Sequence, residues 1–229
     1  MRAPALAFAV VPSPRELFAA VKQGDAAAVE RLVADDPALA AAEEDGVPAV
    51  RMALYHCRPQ ALGALLAAEP PLDGLDYAAL GWVDDLRRAL ADDRDLATRR
   101  SADGFTALHY AAFFGGADVV DALLDAGADP NAVAENASQV RPLHSAAAAR
   151  DAAAARRLLA AGADPDARQA GGHTALHAAA QHDDADLAAA LLRHGADPSV
   201  RNDAGADALG IARARESSAV LALLGASTA

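Results

Sequence analysis

The tetrapeptide Gly-Ala-Asp-Pro occurs three times, at 127–130, 162–165 and 195–198, each time after a leucine-rich segment, with spacings of 35 and 33 residues. A fixed period of this size marks a chain of stacked units, each too small to bury its own apolar face. A second marker keeps the same phase: Thr106-Ala107-Leu108-His109, Arg141-Pro142-Leu143-His144, Thr174-Ala175-Leu176-His177 and the degenerate Asp207-Ala208-Leu209-Gly210. Two motifs held in one phase predict an extended stack, whose usual product is a binding surface.

One unit can be read residue by residue. Gly104 permits a tight turn and Thr106 can cap the helix that follows. Ala111-Ala112 let a neighbouring helix approach closely, and Gly115-Gly116 are expected to end that helix in a left-handed cap. A second helix starts near Asp118, carries Val119, Val120, Leu123 and Leu124 at helical spacing, and is closed by Gly127 before Asp129-Pro130.

The full unit, Asp103 to Ala112 followed by Val119-Val120 and Leu123-Leu124, resembles the ankyrin repeat. The resemblance implies an all-α ankyrin-repeat solenoid, helix-turn-helix units joined by β-turn fingers. About seven units are expected, at 13–43, 44–71, 72–98, 99–133, 134–168, 169–201 and 202–226, with degenerate terminal caps, as one domain over 13–226. In the C-terminal unit Arg213, Arg215 and Glu216 stand where inner copies have small or apolar residues, a polar-faced cap. In the second unit Cys57 stands where the helix-ending glycine would be. The third unit is expected to have a shortened first helix, Tyr77–Leu80, with Trp82 filling the gap this leaves.

Residues 1–12 carry one positive charge and a brief apolar run, read as a lead-in rather than a secretory signal because Pro4 interrupts the start and the run is short. No run approaches the roughly 20 apolar residues of a membrane helix, so a soluble, cytoplasmic protein without a membrane partner is expected. A lone cysteine excludes an internal disulfide. The net charge of −12, with a single lysine at Lys22, argues against a nucleic-acid partner. Arginine pairs such as Arg87-Arg88 and Arg156-Arg157 read as solvated helix faces.

Seven histidines invite a metal or catalytic reading. His109, His144 and His177 repeat in register, and the resemblance implies that each imidazole bonds to neighbouring turn backbone. His194 sits at a helix end. His173 and His177 are four apart, but Thr174 as the helix cap places His173 in the preceding turn, and no Cys, His or carboxylate cluster completes a ligand set. Serine-nucleophile, phosphate-loop and dinucleotide motifs are missing. The expectation is a non-enzyme with no cofactor and no metal.

The resemblance places binding on a concave face of turn tips and first-helix ends. By position these are Val47, Phe105, Val140 and His173 in the turns, and Tyr55/His56, Phe113/Phe114, Ala148/Ala149 and Gln181/His182 at the helix ends. Phe113 and Phe114 cannot both enter one core, so at least one is exposed. A two-residue insertion after Val133 loses the usual turn and adds Asn136, Gln139 and Arg141 as candidates. The predicted partner-binding set is Tyr55, His56, Phe105, Phe113, Phe114, Asn136, Gln139, Arg141, His173, Gln181 and His182, the partner being another protein. A monomer is expected. Two alternatives stay open: a small-molecule binder or enzyme with a pocket near the third unit, and a self-associating adaptor.

Overall fold

The computed structural model describes residues 12–226; the lead-in expected at 1–12 lies almost wholly outside them. The chain divides after Pro71 into two compact units, taken in turn.

The first unit holds two helix pairs: α1 (Pro14–Gln23) with α2 (Ala26–Asp35), and α3 (Ala49–Tyr55) with α4 (Pro59–Ala67). Ser13 caps α1 in a box with Glu16, and Pro14 at the first helical position has no N–H to leave unsatisfied. Leu17, Phe18, Val21, Val29, Val50 and Leu65 form the core. Between the pairs a two-residue hairpin joins β1 (Glu43–Glu44) to β2 (Val47–Pro48), antiparallel. Asp45 and Gly46 both have positive φ there, the geometry that matches strand twist in such a tight turn. Cys57 takes the left-handed position, φ 52°, that the sequence assigns to a missing glycine.

The second unit holds five helix pairs: α5 (Gly74–Leu80) with α6 (Val83–Asp92), α7 (Ala107–Tyr110) with α8 (Ala117–Asp125), α9 (Pro142–Ala149) with α10 (Ala152–Ala160), α11 (Ala175–His182) with α12 (Ala185–Arg193), and α13 (Ala208–Arg215) with α14 (Ser218–Ala226). Each of the seven pairs among the described residues falls in one expected repeat. Leu108, Leu143 and Leu176 of the first helices and Leu123, Leu158, Leu191 and Leu224 of the second are buried in the same register. The alanine pairs 111/112, 146/147 and 179/180 are buried as well, so adjacent first helices approach across methyl groups.

Two expectations for the third repeat are corrected. Its first helix is not shortened to Tyr77–Leu80 but starts at Gly74, because Asp73 accepts from the Leu75 and Asp76 N–H groups and Asp76 reaches back to the Asp73 N–H. Gly74 is required by packing: a Cβ there would lie 2.1 Å from Leu96 Cδ2. Trp82 fills no gap. It is 39% exposed and stacks on Tyr77, ring centroids 6.2 Å apart.

The end of α7 also differs from expectation. Arg150, Asp183 and Glu216 close the first helices of the following repeats in the left-handed conformation. At the corresponding place Gly115 ends a π-turn over Ala111–Gly115, and Gly116, at φ 84° and ψ 176°, starts the next helix rather than forming a left-handed cap. The turn packs closely against α5, where a Cβ on Gly115 would lie 2.3 Å from the Ala78 carbonyl oxygen. Gly115→Ala is therefore expected to cost about 2 kcal/mol or more through forced backbone displacement. Urea unfolding followed by Trp82 fluorescence checks this; an unchanged midpoint would contradict the contact.

Candidate functional site

The turns preceding α7, α9, α11 and α13 form fingers that bond one to the next. The Glu135 N–H donates to Gly104 O at 3.0 Å, Ala170 N–H to Ser138 O at 2.9 Å, and Asp203 N–H to Gly171 O at 3.0 Å. The turn glycine's left-handed place is held by Gly104, Gly172 and Gly205, and in the inserted finger by Gln139 at φ 50°. A β-carbon in that conformation is strained, so Gln139→Gly is expected to raise stability by up to about 1 kcal/mol, measured by chemical denaturation.

Behind the fingers of α7, α9 and α11 an imidazole is bonded at both ring nitrogens. The Thr106 N–H donates to His109 Nδ1 at 3.2 Å, the Thr106 hydroxyl lies 2.8 Å from the same nitrogen, and Nε2 lies 3.1 Å from Val140 O. Nδ1 receives the backbone donor, so the proton sits on Nε2, which donates to the carbonyl of the next finger. His177 repeats the arrangement, with the Thr174 N–H at 3.1 Å, its hydroxyl at 2.8 Å and Ala206 O at 3.1 Å. His144 takes the Arg141 N–H at 3.0 Å in the same way, without a hydroxyl, but its Nε2 lies 3.0 Å from Ala167 O, a shorter step along the chain than separates the other two from their acceptors.

Protonating Nδ1 would set a donor against a donor, and burial opposes the charge. Desolvation is the chief cause that holds the His109 pKa down to about 4, and it lowers His144 and His177 in the same direction. These histidines are scaffold, as their register predicts.

The candidate binding residues fall at several places. Tyr55, half-buried, and His56, exposed, end α3 in the first unit. The other nine belong to the second unit. Phe105 is half-buried, its ring 5.6 Å from that of His109 and 5.9 Å from that of Tyr110. The buried Tyr110 hydroxyl lies 2.7 Å from Asp103 Oδ1 and helps hold the finger. Asn136 uses its amide for scaffold: Nδ2 donates to Asp103 O at 2.8 Å and Oδ1 accepts the Ser138 N–H at 3.0 Å. Gln139 is exposed at the finger tip, and Arg141 is half-buried with a nitrogen 3.7 Å from an Asp164 carboxylate oxygen.

Phe113 is 42% exposed, and half-buried Phe114 meets it edge-on, centroids 4.6 Å apart. Four residues beyond the marker position of each repeat stand Phe113, Ala148, Gln181 and Ala214, all exposed. One residue on stand Phe114, Ala149, His182 and Arg215, half-buried or exposed. Buried alanines precede this exposed stripe on the same helices. His173 and Gln181 come together in a hollow of about 200 Å³ shared with Ala148, Ala178 and Gln169. Gln169 escaped the sequence reading because it belongs to neither motif; its place just before the turn glycines of its finger is the available signal.

Among the described residues no group of three or more His, Cys, Asp or Glu is arranged to hold a metal ion. Among them, too, no helix is long and apolar enough to cross a membrane. The Gly-Ala-Asp-Pro turns are linked to one another. Asn131 donates to Gly162 O and accepts from the Asp164 N–H, both at 2.9 Å, and Asp166 accepts from the Asp197 N–H at 2.9 Å.

Family models for ankyrin repeats match residues 103–135 as a single repeat and 136–228 as three copies. Among curated proteins, the BCL-6 corepressor-like protein 1 of Homo sapiens is 34% identical over 99 residues, which is 43% of this chain. The match spans about 5% of that much longer protein.

Acid titration tests the imidazole assignment. His109 binds its proton near pH 6.5 when unfolded and only near pH 4 when folded, so its stabilising contribution is complete above pH 6.5 and declines toward pH 4. Between pH 7 and 5.5 the loss from this one group is about 1 kcal/mol. His109→Gln is expected to be less stable at pH 7 by about 1–3 kcal/mol and to depend less on pH across that interval. Denaturation curves at the two pH values decide it.

Proposed function

This chain belongs to the ankyrin-repeat family, and from that membership we propose that it is a non-catalytic module binding another protein through its finger tips and the exposed stripe of its first helices. Ankyrin repeats are generally protein-interaction modules. The observation that carries the reading here is Phe113. It is a large apolar residue 42% exposed, at a register position where the following repeats place Ala148, Gln181 and Ala214. A scaffold that needs only a small or polar residue there gains nothing from a phenylalanine, whereas an exposed aromatic surrounded by polar groups is the composition of an interface anchor.

Gln139, His173, Gln181 and His182 extend the proposed surface with adaptable polar groups. Phe105, Asn136 and Arg141 contribute mainly by holding the fingers in place. Tyr55 and His56 offer the corresponding helix end on the first unit. The interaction is proposed to take place in the cytoplasm, with the chain acting as a monomer. The human relative is named as a corepressor-like protein, and the shared repeats alone give this chain no particular partner.

The test is affinity capture of a stoichiometric partner by the intact chain and by Phe113→Ala/Phe114→Ala. The double variant is expected to keep its circular dichroism and to lose binding at least about tenfold, the scale of an aromatic anchor. Undiminished capture by the folded variant would refute the proposed surface.

A further inference from the structure

Trp82 and Phe113 are two of the three large apolar side chains that stand exposed among the described residues. They flank one backbone contact. A Cβ on Gly81 would lie 3.2 Å from Gly115 O, so the loop bearing Trp82 is pressed against the π-turn bearing Phe113. Stacking on Tyr77, with 23° between the ring planes, holds the indole and leaves part of it open to solvent. Beside it lies a hollow of about 450 Å³ lined by Gly81, Trp82, Val83, Asp84 and Asp85. That lining has an indole and two carboxylates and no cation.

We propose that this hollow seats an arginine or lysine side chain of a partner protein, with Phe113 covering an apolar residue beside it. The occupant is a basic, apolar segment of the partner, and the proposal rests on the interaction-module reading. A cation over an indole face is attracted by the ring quadrupole, and nearby carboxylates add to that attraction. Arg87 and Arg88 approach Asp84 at 3.6 Å and Asp85 at 2.7 Å from the next turn of α6. The Asp84 side chain nevertheless stays 85% exposed. Such surface pairs contribute little, so a partner cation can replace them. The net charge of −12 draws a basic segment toward the chain over longer range.

The intact chain is titrated into a labelled twelve-residue peptide alternating Arg and Leu, with fluorescence anisotropy as the readout. The only tryptophan, Trp82, serves as a second reporter. Saturable one-to-one binding is expected, with Trp82 emission changing over the same concentrations. Asp84→Asn/Asp85→Asn and Trp82→Ala should each weaken binding at least tenfold while circular dichroism shows the variants still folded. Equal binding of a Glu/Leu peptide would overturn the proposal by showing apolar contact alone. Unchanged affinity in Asp84→Asn/Asp85→Asn would overturn it by placing the cation elsewhere, and Trp82 emission that varies with protein concentration alone would do so by showing a second copy as the occupant. If a captured partner depends on Phe113 and Phe114 but not on the two carboxylates, the seat fails while the interaction-module reading stands.

Discussion

The middle of the second unit depends on a neutral imidazole, bonded at both ends, in each of the three repeats that begin with α7, α9 and α11. A first helix begins with a backbone N–H at its cap that needs an acceptor three residues on. Glu16 supplies that acceptor for Ser13, and Asp76 for Asp73. His109, His144 and His177 do the same with Nδ1. A carboxylate accepts such a bond but has no proton of its own to donate to a carbonyl. An imidazole has a second nitrogen on its far side, whose N–H reaches the carbonyl of the next finger from His109 and His177, and Ala167 O from His144. In the second repeat Pro48 occupies the cap and has no N–H, so the position can be given to Arg51. In the last described repeat Gly210 takes the position, its own N–H donating to Asp207 at 2.8 Å, with no onward bridge.

That economy explains how the surface divides between scaffold and recognition. Inter-repeat bonds occupy the backbone of the fingers, the imidazoles behind them and the Gly-Ala-Asp-Pro turns, where Asn131 and Asp166 link one turn to the next. Residues in those places are held by the stack. At the finger tips the links between repeats run through the backbone, so side chains such as that of Gln139 can vary without loosening the array. Phe113 and Gln181, exposed near the ends of their first helices, and Gln139 at a finger tip are the side chains left to recognition.

Much of this was legible in the sequence because repetition compares the chain with itself. Leucine and alanine positions shared by three copies are core positions, and the Thr-x-Leu-His marker identified the structural histidines and kept His173 off the helix. That at least one of Phe113 and Phe114 is exposed followed from their adjacency; that it is Phe113 did not. What escaped the reading arises where neighbouring repeats touch irregularly. Nothing local announces that Gly115 must meet the Ala78 carbonyl, that Leu96 occupies the space a Gly74 side chain would need, or that Trp82 stacks outward on Tyr77. Asn136 looked like a binding residue because it is polar and in an inserted loop. Its amide is spent on Asp103 O, a bond between neighbouring fingers that one-dimensional spacing does not reveal.

The most direct test of the account is the protonation state of these imidazoles, read by long-range proton–nitrogen NMR correlation on the intact protein. The account predicts that His109, His144 and His177 carry their proton on Nε2, with His109 staying neutral from pH 7.5 down to about pH 5, consistent with a folded pKa of about 4. A proton on Nδ1 of any of the three, or titration of His109 near pH 6.5, would contradict the bridge on which the stack is argued to depend.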